Sequence, residues 1–188
     1  PRLLGYGESV LTPGIVEGGK VRDVEQLASA LQHVCEKLTR KDIILSLPEE
    51  RAYAFFLSIP KMPRRDIRAS IELQLENQIP VPAQSVLFDY DLITERADGA
   101  YDLVVSAISR EDVSEYLQAC QGASLTPSAF EIEAHAIARA LLRPETKETV
   151  LIVDMGKTRT GLIVVANGHV TFTSTVQGVG GEDITTVV

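Results

Sequence analysis

Apolar residues recur along this chain at two periods, and the switches between them mark out its elements. From about Asp23 to Leu38, the residues Val24, Leu27, Ala28, Leu31, Val34, Cys35 and Leu38 keep the spacing that draws one stripe down a helix. Asp23, with Gln26 three residues on, opens it in the manner of a capping box. The pattern then tightens to alternation over Asp42–Leu47 and Tyr53–Ile59, and the Pro48-Glu49-Glu50 turn between these runs predicts a hairpin. Helical spacing returns from Arg64 to Gln78, with Ile67, Ile71, Leu75 and Ile79 on one face and Pro80 and Pro82 as the stop.

Two further strands are predicted at Val86–Ile93 and Tyr101–Ile108, joined through Ala97-Asp98-Gly99. Ser109, with Asp112 three residues on, opens a helix over Arg110–Cys120 whose face is Val113, Tyr116, Leu117 and Cys120. Residues 62–122 therefore read helix–strand–strand–helix, compact enough to be an inserted subdomain. Pro127-Ser128 begins another predicted helix that runs to Leu142, with Phe130, Ala134, Ile137 and Leu141 inward. A polar linker over residues 143–148 leads to three β-rich runs, Thr149–Asp154, Thr160–Ala166 and His169–Thr175. Asn167-Gly168 between the last two predicts a type I′ hairpin, which needs positive φ at both positions. The fold class is mixed α/β with small, segregated sheets.

Composition narrows the function. The chain has 188 residues, 45% of them hydrophobic and 23% charged, enough to bury a core. Its net charge of −8 argues against a general nucleic-acid binder. No apolar run approaches the roughly 18 residues of a membrane helix, and no signal peptide is visible. The start at Pro1-Arg2-Leu3 and the end at Thr186-Val187-Val188, inside a continuing element, predict a fragment of a longer protein. Cys35 and Cys120 each fall on a helical apolar stripe and are expected as buried thiols in a reducing compartment. His33, His135 and His169 are scattered, which gives a metal site no support.

The chemically pointed stretch is Leu151-Ile152-Val153-Asp154-Met155-Gly156-Lys157-Thr158-Arg159-Thr160-Gly161. A carboxylate at a strand end, Asp154, suits a hydrated Mg²⁺. Gly156 suits a tight turn that brings N–H groups to a phosphate, and Thr158 or Thr160 adds a hydroxyl. An ordinary hairpin turn accounts for the same residues, and both readings stand. Neither a Walker loop nor a Rossmann fingerprint is present. Gly178-Val179-Gly180-Gly181-Glu182-Asp183 reads either as a turn with Asp183 capping a helix or as a nucleotide-proximal loop. Lys61, Arg64, Arg65 and Arg68, beside the adaptable Met62, form the one basic concentration: a solvated first turn, or a contact for phosphate or an acidic peptide. Asp89 and Asp91 share a strand face that is expected to be the solvent face.

Together, Leu151–Gly156, the hairpin after it and Gly180-Gly181-Glu182-Asp183-Ile184-Thr185 resemble the middle of an actin-like ATPase. The segments Leu57-Ser58-Ile59-Pro60-Lys61-Met62-Pro63, Asn77-Gln78-Ile79-Pro80, Phe88-Asp89-Tyr90-Asp91 and Leu11–Val21 are similar to the PilM family of type IV pilus assembly proteins, and less so to FtsA. The resemblance implies an actin-like (ribonuclease H-like) first subdomain over residues 1–61 and 123–146. Residues 62–122 would then be the inserted subdomain, and 147–188 the beginning of a second lobe. It implies a cytoplasmic scaffold of the pilus inner-membrane complex that meets the membrane only through partners. Those partners are a PilN-like cytoplasmic tail and other pilus assembly proteins. ATP and Mg would be a structural or switching ligand in the full-length protein, with Asp154, Gly156, Thr158, Thr160, Gly180 and Gly181 as its phosphate and metal contacts. Lys61, Met62, Arg64, Arg65 and Arg68 are the expected tail contacts. A first phosphate motif and an adenosine-binding part are missing relative to the family, so ATP binding by this chain is expected to be weak or absent. An FtsA-like division protein, or an ATPase or sugar kinase of the same superfamily, is the alternative. A kinase would need a positioned general base, and no acid is convincingly placed for one.

Overall fold

The computed structural model describes residues 5–36 and 41–187, and of 184, 186 and 187 only the backbone. Leu38 and the chain's first and last residues therefore lie outside the described residues. A two-residue ladder, β1 (Val16–Glu17) with β2 (Lys20–Val21), precedes helix α1 (Val24–Cys35), whose Asp23 side chain accepts from the Gln26 N–H at 2.9 Å. Next come β3 (Asp42–Leu47), a 3-10 turn over Glu49–Arg51, β4 (Ala52–Ile59), α2 (Arg64–Gln78), β5 (Val86–Glu95) and β6 (Tyr101–Ser109). Then follow α3 (Arg110–Gly122), β7 (Thr126–Ile132), α4 (Glu133–Leu141), β8 (Val150–Met155), β9 (Arg159–Ala166), β10 (His169–Gln177) and α5 (Gly181–Val187).

The predicted hairpin of 42–47 with 53–59 does not form. β3 pairs in parallel with β7, from Asp42↔Thr126 to Leu47↔Ile132. β4 instead pairs antiparallel with β6, from Ala52↔Ile108 to Ile59↔Tyr101, in a sheet ordered β4-β6-β5. Burial decides between the two pairings. Leu57 and Ile59 lie with Leu103 and Val105 under the α2 stripe of Ile67, Ile71 and Leu75, a core no β3–β4 hairpin could supply. Arg51, at the turn, is held to the fully buried Asp112 of α3 at 3.0 Å, which aims the chain away from β3. The hydrogen bonding thus joins β4 to the strands of the 62–122 unit.

The predicted helix over 127–142 is also shorter than expected, because residues 126–132 are β7 and α4 begins at Glu133. Phe130, Ala134, Ile137 and Leu141 keep a helical spacing by coincidence across the strand–helix junction, and Leu141 is exposed. Ser128 confirms the strand, donating its hydroxyl to the Ile43 carbonyl at 3.0 Å.

Elsewhere local pattern and structure agree. The α2 boundaries are those predicted, and Ser109 caps α3 by accepting from the Glu111 and Asp112 N–H groups. β9 and β10 form the expected hairpin with φ of 52° at Asn167 and 81° at Gly168. Cys35 and Cys120 are buried free thiols packed with Ala123 and Leu125. Tyr116 donates to the Gly19 carbonyl at 2.8 Å, which clasps α3 to the β1–β2 turn. A third core, with Ala134 and Ala138 of α4 against Ile152, Ile163 and Val165, seats the β10-β9-β8 sheet on the rest.

Ile71 is 0% exposed at the centre of the α2–sheet core. Ile71→Ala is expected to lower stability by about 2–5 kcal/mol in urea unfolding, through lost burial plus the residual cavity.

Candidate functional site

The structure brings the two halves of the expected phosphate site together. The Gly156-Lys157-Thr158 turn between β8 and β9 meets the loop 178–182 that leads into α5. The contact is made by the groups a phosphate would need. Gly156 N–H donates to the Arg159 carbonyl at 2.9 Å, and Gly181 N–H donates to the Gly156 carbonyl at 2.9 Å. Glu182 N–H donates to Lys157 O at 3.0 Å, and Gly178 N–H to Thr158 O at 3.1 Å. Gly180 N–H donates to the Asp183 carboxylate at 2.8 Å, so Asp183 acts from inside the first turn of α5 and not as the residue capping a later helix. The buried Thr160 donates its hydroxyl to the Val179 carbonyl. Gly180 is glycine because a Cβ there would sit 2.4 Å from Lys157 O, so the backbone itself closes the gap. Asp154 and Thr158 are exposed and open. The N–H groups of Gly156, Gly180 and Gly181 and the Thr160 hydroxyl thus have partners within the chain.

Sequence reasoning missed the charged joint beside this turn. Arg159, at the start of β9, bonds Glu50 of the 3-10 turn with one nitrogen and Glu133, at the first position of α4, with the other at 3.0 Å. Glu49, 8% exposed, lies beside Thr173 of β10. Burial, and then the charge of Glu133, push its carboxyl above the ordinary value. Glu133 is likewise pushed up by burial and by Asp154. Glu49 and Glu50 read as turn residues from sequence. Nothing local showed that the chain returns more than a hundred residues later with an arginine.

The second feature is a cavity of about 280 Å³ between the β4-β6-β5 sheet and the β7–α4 segment. Its walls include Leu47, Ile108, Val113, Phe130 and Ile132, and its rim carries Asp89, Asp91 and Glu131. Residues of β5 (Leu87 to Asp91), of the middle strand β6 (Ser106 to Ile108) and of β7 (Phe130 to Ile132) line it. β5 and β7 each have one unpaired edge among the described residues. Glu131 is bound by both nitrogens of Arg139, which holds its carboxyl below the usual range. Asp89 and Asp91 are exposed, as their strand face predicted. Burial pushes His135, on the floor, below its ordinary value, against the pull of Asp91 and Glu131.

The basic cluster lies elsewhere. α2 packs on the sheet face opposite Leu87, Asp89 and Asp91, which keeps Arg64 and Arg65 out of the cavity. Lys61 is 3.8 Å from Glu95, and Met62 packs on the α2 core. Arg68 alone reaches the rim: it stacks 4.4 Å over Phe88, donates to Phe88 O at 3.1 Å and lies 4.0 Å from Asp89.

The joint sets a pH dependence. Glu49 and Glu133 are raised in the folded state, so they bind more protons folded than unfolded between 4.5 and their raised values. Their contribution therefore improves as pH falls from neutral toward 4.5 and worsens as pH rises through the raised values. Glu49→Gln is expected to be more stable than wild type near neutral pH, and the gap should close as pH falls toward 4.5. Urea unfolding across that range measures it.

The family model for the type IV pilus assembly protein PilM matches residues 2–188. Among solved structures, the PilM–PilN type IV pilus biogenesis complex is similar at 22% identity and a TM-score of 0.79, over 94% of this chain and 55% of that one. The cytoplasmic domain of EpsL, an inner-membrane component of the type II secretion system of Vibrio cholerae, is similar at 14% identity and a TM-score of 0.58, over 80% of this chain and 56% of that one. The chain thus spans about half the length of the PilM chain it matches and shares its fold, of the mixed α/β class expected from sequence. With that match over nearly its whole length, this chain belongs to the PilM family of type IV pilus assembly proteins.

Proposed function

We propose that this protein is a scaffold of the type IV pilus inner-membrane assembly complex, and that it docks the cytoplasmic tail of a PilN-type membrane protein in the cavity between β5 and β7. The observation that carries the reading is the cavity itself, lined by two strands, β5 and β7, that each keep one unpaired edge among the described residues. An extended segment gains main-chain hydrogen bonds from such an edge and buries alternate side chains in the walls. The solved PilM–PilN complex supports the choice of partner. No helix among the described residues is long and apolar enough to cross a membrane, which fits attachment through that partner.

Charge refines the tail. The sequence suggested acidic tail positions against Lys61, Arg64, Arg65 and Arg68, but the cavity rim presents the carboxylates of Asp89 and Asp91. We therefore propose a tail with apolar residues for the walls and a basic residue for the rim. The scaffold role requires no nucleotide. With the glycine N–H groups committed, this chain alone is expected to show no saturable binding of Mg-ATP by calorimetry at micromolar protein.

The docking proposal is tested with a fluorescent tail peptide. Asp89→Lys/Asp91→Lys is expected to weaken binding on the order of tenfold at low salt and less at high salt, because rim charges act mainly on association. Loss of binding in Arg64→Glu/Arg65→Glu, with the rim variant unaffected, would move the docking surface to α2. No binding by the wild-type chain would remove the proposal.

A further inference from the structure

We propose that the cavity between the end of α4 and the β9–β10 hairpin is a second seat for the docked segment, one that takes an acidic side chain. This seat rests on the docking reading, because its occupant is the same segment. About 400 Å³ of space lies there, and it meets the β5–β7 cavity at Asp91 and His135, which line both. A chain that leaves the first cavity past Asp91 therefore enters the second.

The two cavities differ in charge. Asp89, Asp91 and Glu131 stand around the first. Arg139, Arg143 and His169 stand around the second, with Asp91 as its one acid among the described residues. Asp91 has His169 Nδ1 at 4.0 Å, and Arg139 spends both terminal nitrogens on Glu131. Arg143 is left as the full charge without an ion-pair partner among the described residues. Its backbone is nevertheless fixed. Arg143 O accepts from the Thr146 N–H at 3.0 Å, and the Thr146 carbonyl lies 4.0 Å from where a Cβ on Gly168 would sit. The linker turn is thus packed on the hairpin tip and carries Arg143 at the rim. Ala138, Val165 and Val170, all buried, supply apolar wall. Apolar wall beside an unpaired guanidinium suits the methylenes and the carboxylate of a glutamate, which a guanidinium can hold with two parallel donors. Burial holds His135 below its ordinary value, and the charges of Arg139 and His169 add to that against Asp91 and Glu131. A carboxylate seated beside these groups would favour the imidazolium.

The test uses this chain and short fluorescent peptides of alternating leucine and serine, each with one lysine for the Asp89 and Asp91 rim. Glutamate, glutamine or a second lysine is placed two or four positions from that lysine on either side, since even spacing keeps one face of an extended chain. In at least one placement the glutamate peptide is expected to bind on the order of fivefold tighter than the glutamine peptide at low salt. Arg143→Glu should reverse the preference in favour of the second lysine. Arg143 is exposed, so the variant keeps the fold. The glutamate peptide should also move the His135 ring titration upward by NMR, and the glutamine peptide should not. Equal binding of the two peptides in every placement overturns the second seat and leaves the docking reading standing. An unchanged glutamate preference in Arg143→Glu, or a His135 titration that answers both peptides alike, does the same. Binding by no peptide at all overturns both.

Discussion

Parallel pairing of β3 with β7 is the constraint from which the rest of this molecule follows. Two parallel strands cannot be joined by a tight turn, so everything between Leu47 and Thr126 must serve as their crossover. That crossover is long enough to hold a sheet and core of its own, built by β4, β6 and β5 under α2. The chain leaves β3 through the turn held by Arg51 and Asp112 and comes back through α3. Among the described residues, β5 keeps a free edge because β6 is the middle strand, and β7 keeps one because only β3 lies beside it. The cavity is lined by both of these strands and by the middle strand β6.

The sequence showed the parts that depend on near neighbours. The α2 stripe, the Ser109 cap and the Asn167-Gly168 turn are decided within a few residues, and each formed where pattern placed it. Strand partners are a different matter. Alternation in Asp42–Leu47 says that one face is covered, but it is silent on which strand lies alongside. The short Pro48-Glu49-Glu50 turn therefore looked like a hairpin until the α2 core claimed Leu57 and Ile59. Residues 126–132 misled for a related reason. Four apolar positions happened to keep helical spacing across a strand–helix junction, and the partner that makes β7 a strand is about eighty residues upstream.

The candidate site divides along the same line. Asp154, Gly156, Gly180 and Gly181 were legible as a turn and a loop with phosphate-binding chemistry, and the fold does bring them together. Residue type alone could not show that each loop would satisfy the other's donors. A glycine chosen for close approach to a phosphate and one chosen for close approach to backbone look the same in sequence. Gly180, with Lys157 O where its Cβ would be, is of the second kind. The Arg159 joint left no sequence signal at all, since its acids come from a turn and a helix start far apart in the chain.

The cavity and the joint nevertheless share an element. Glu133 and His135 are two residues apart on α4, so their side chains leave the helix about 200° apart. One goes to Arg159 and the other to the cavity floor. Between these directions, Ala134 and Ala138 are buried against the β8–β9 strands, with no long side chain to cushion a shift. Glu131, just before the helix, is held by Arg139 near its end, which ties the last residues of β7 to α4 as one rigid piece. A tail pressing on the floor of the cavity would therefore press on the helix that carries Glu133. With so little room around the small residues, α4 cannot rotate to widen the cavity without also turning Glu133 relative to Arg159. Those nine residues link a docked segment to the Arg159 joint, and His169 of β10, 4.0 Å from Asp91 on the cavity rim, is a second link.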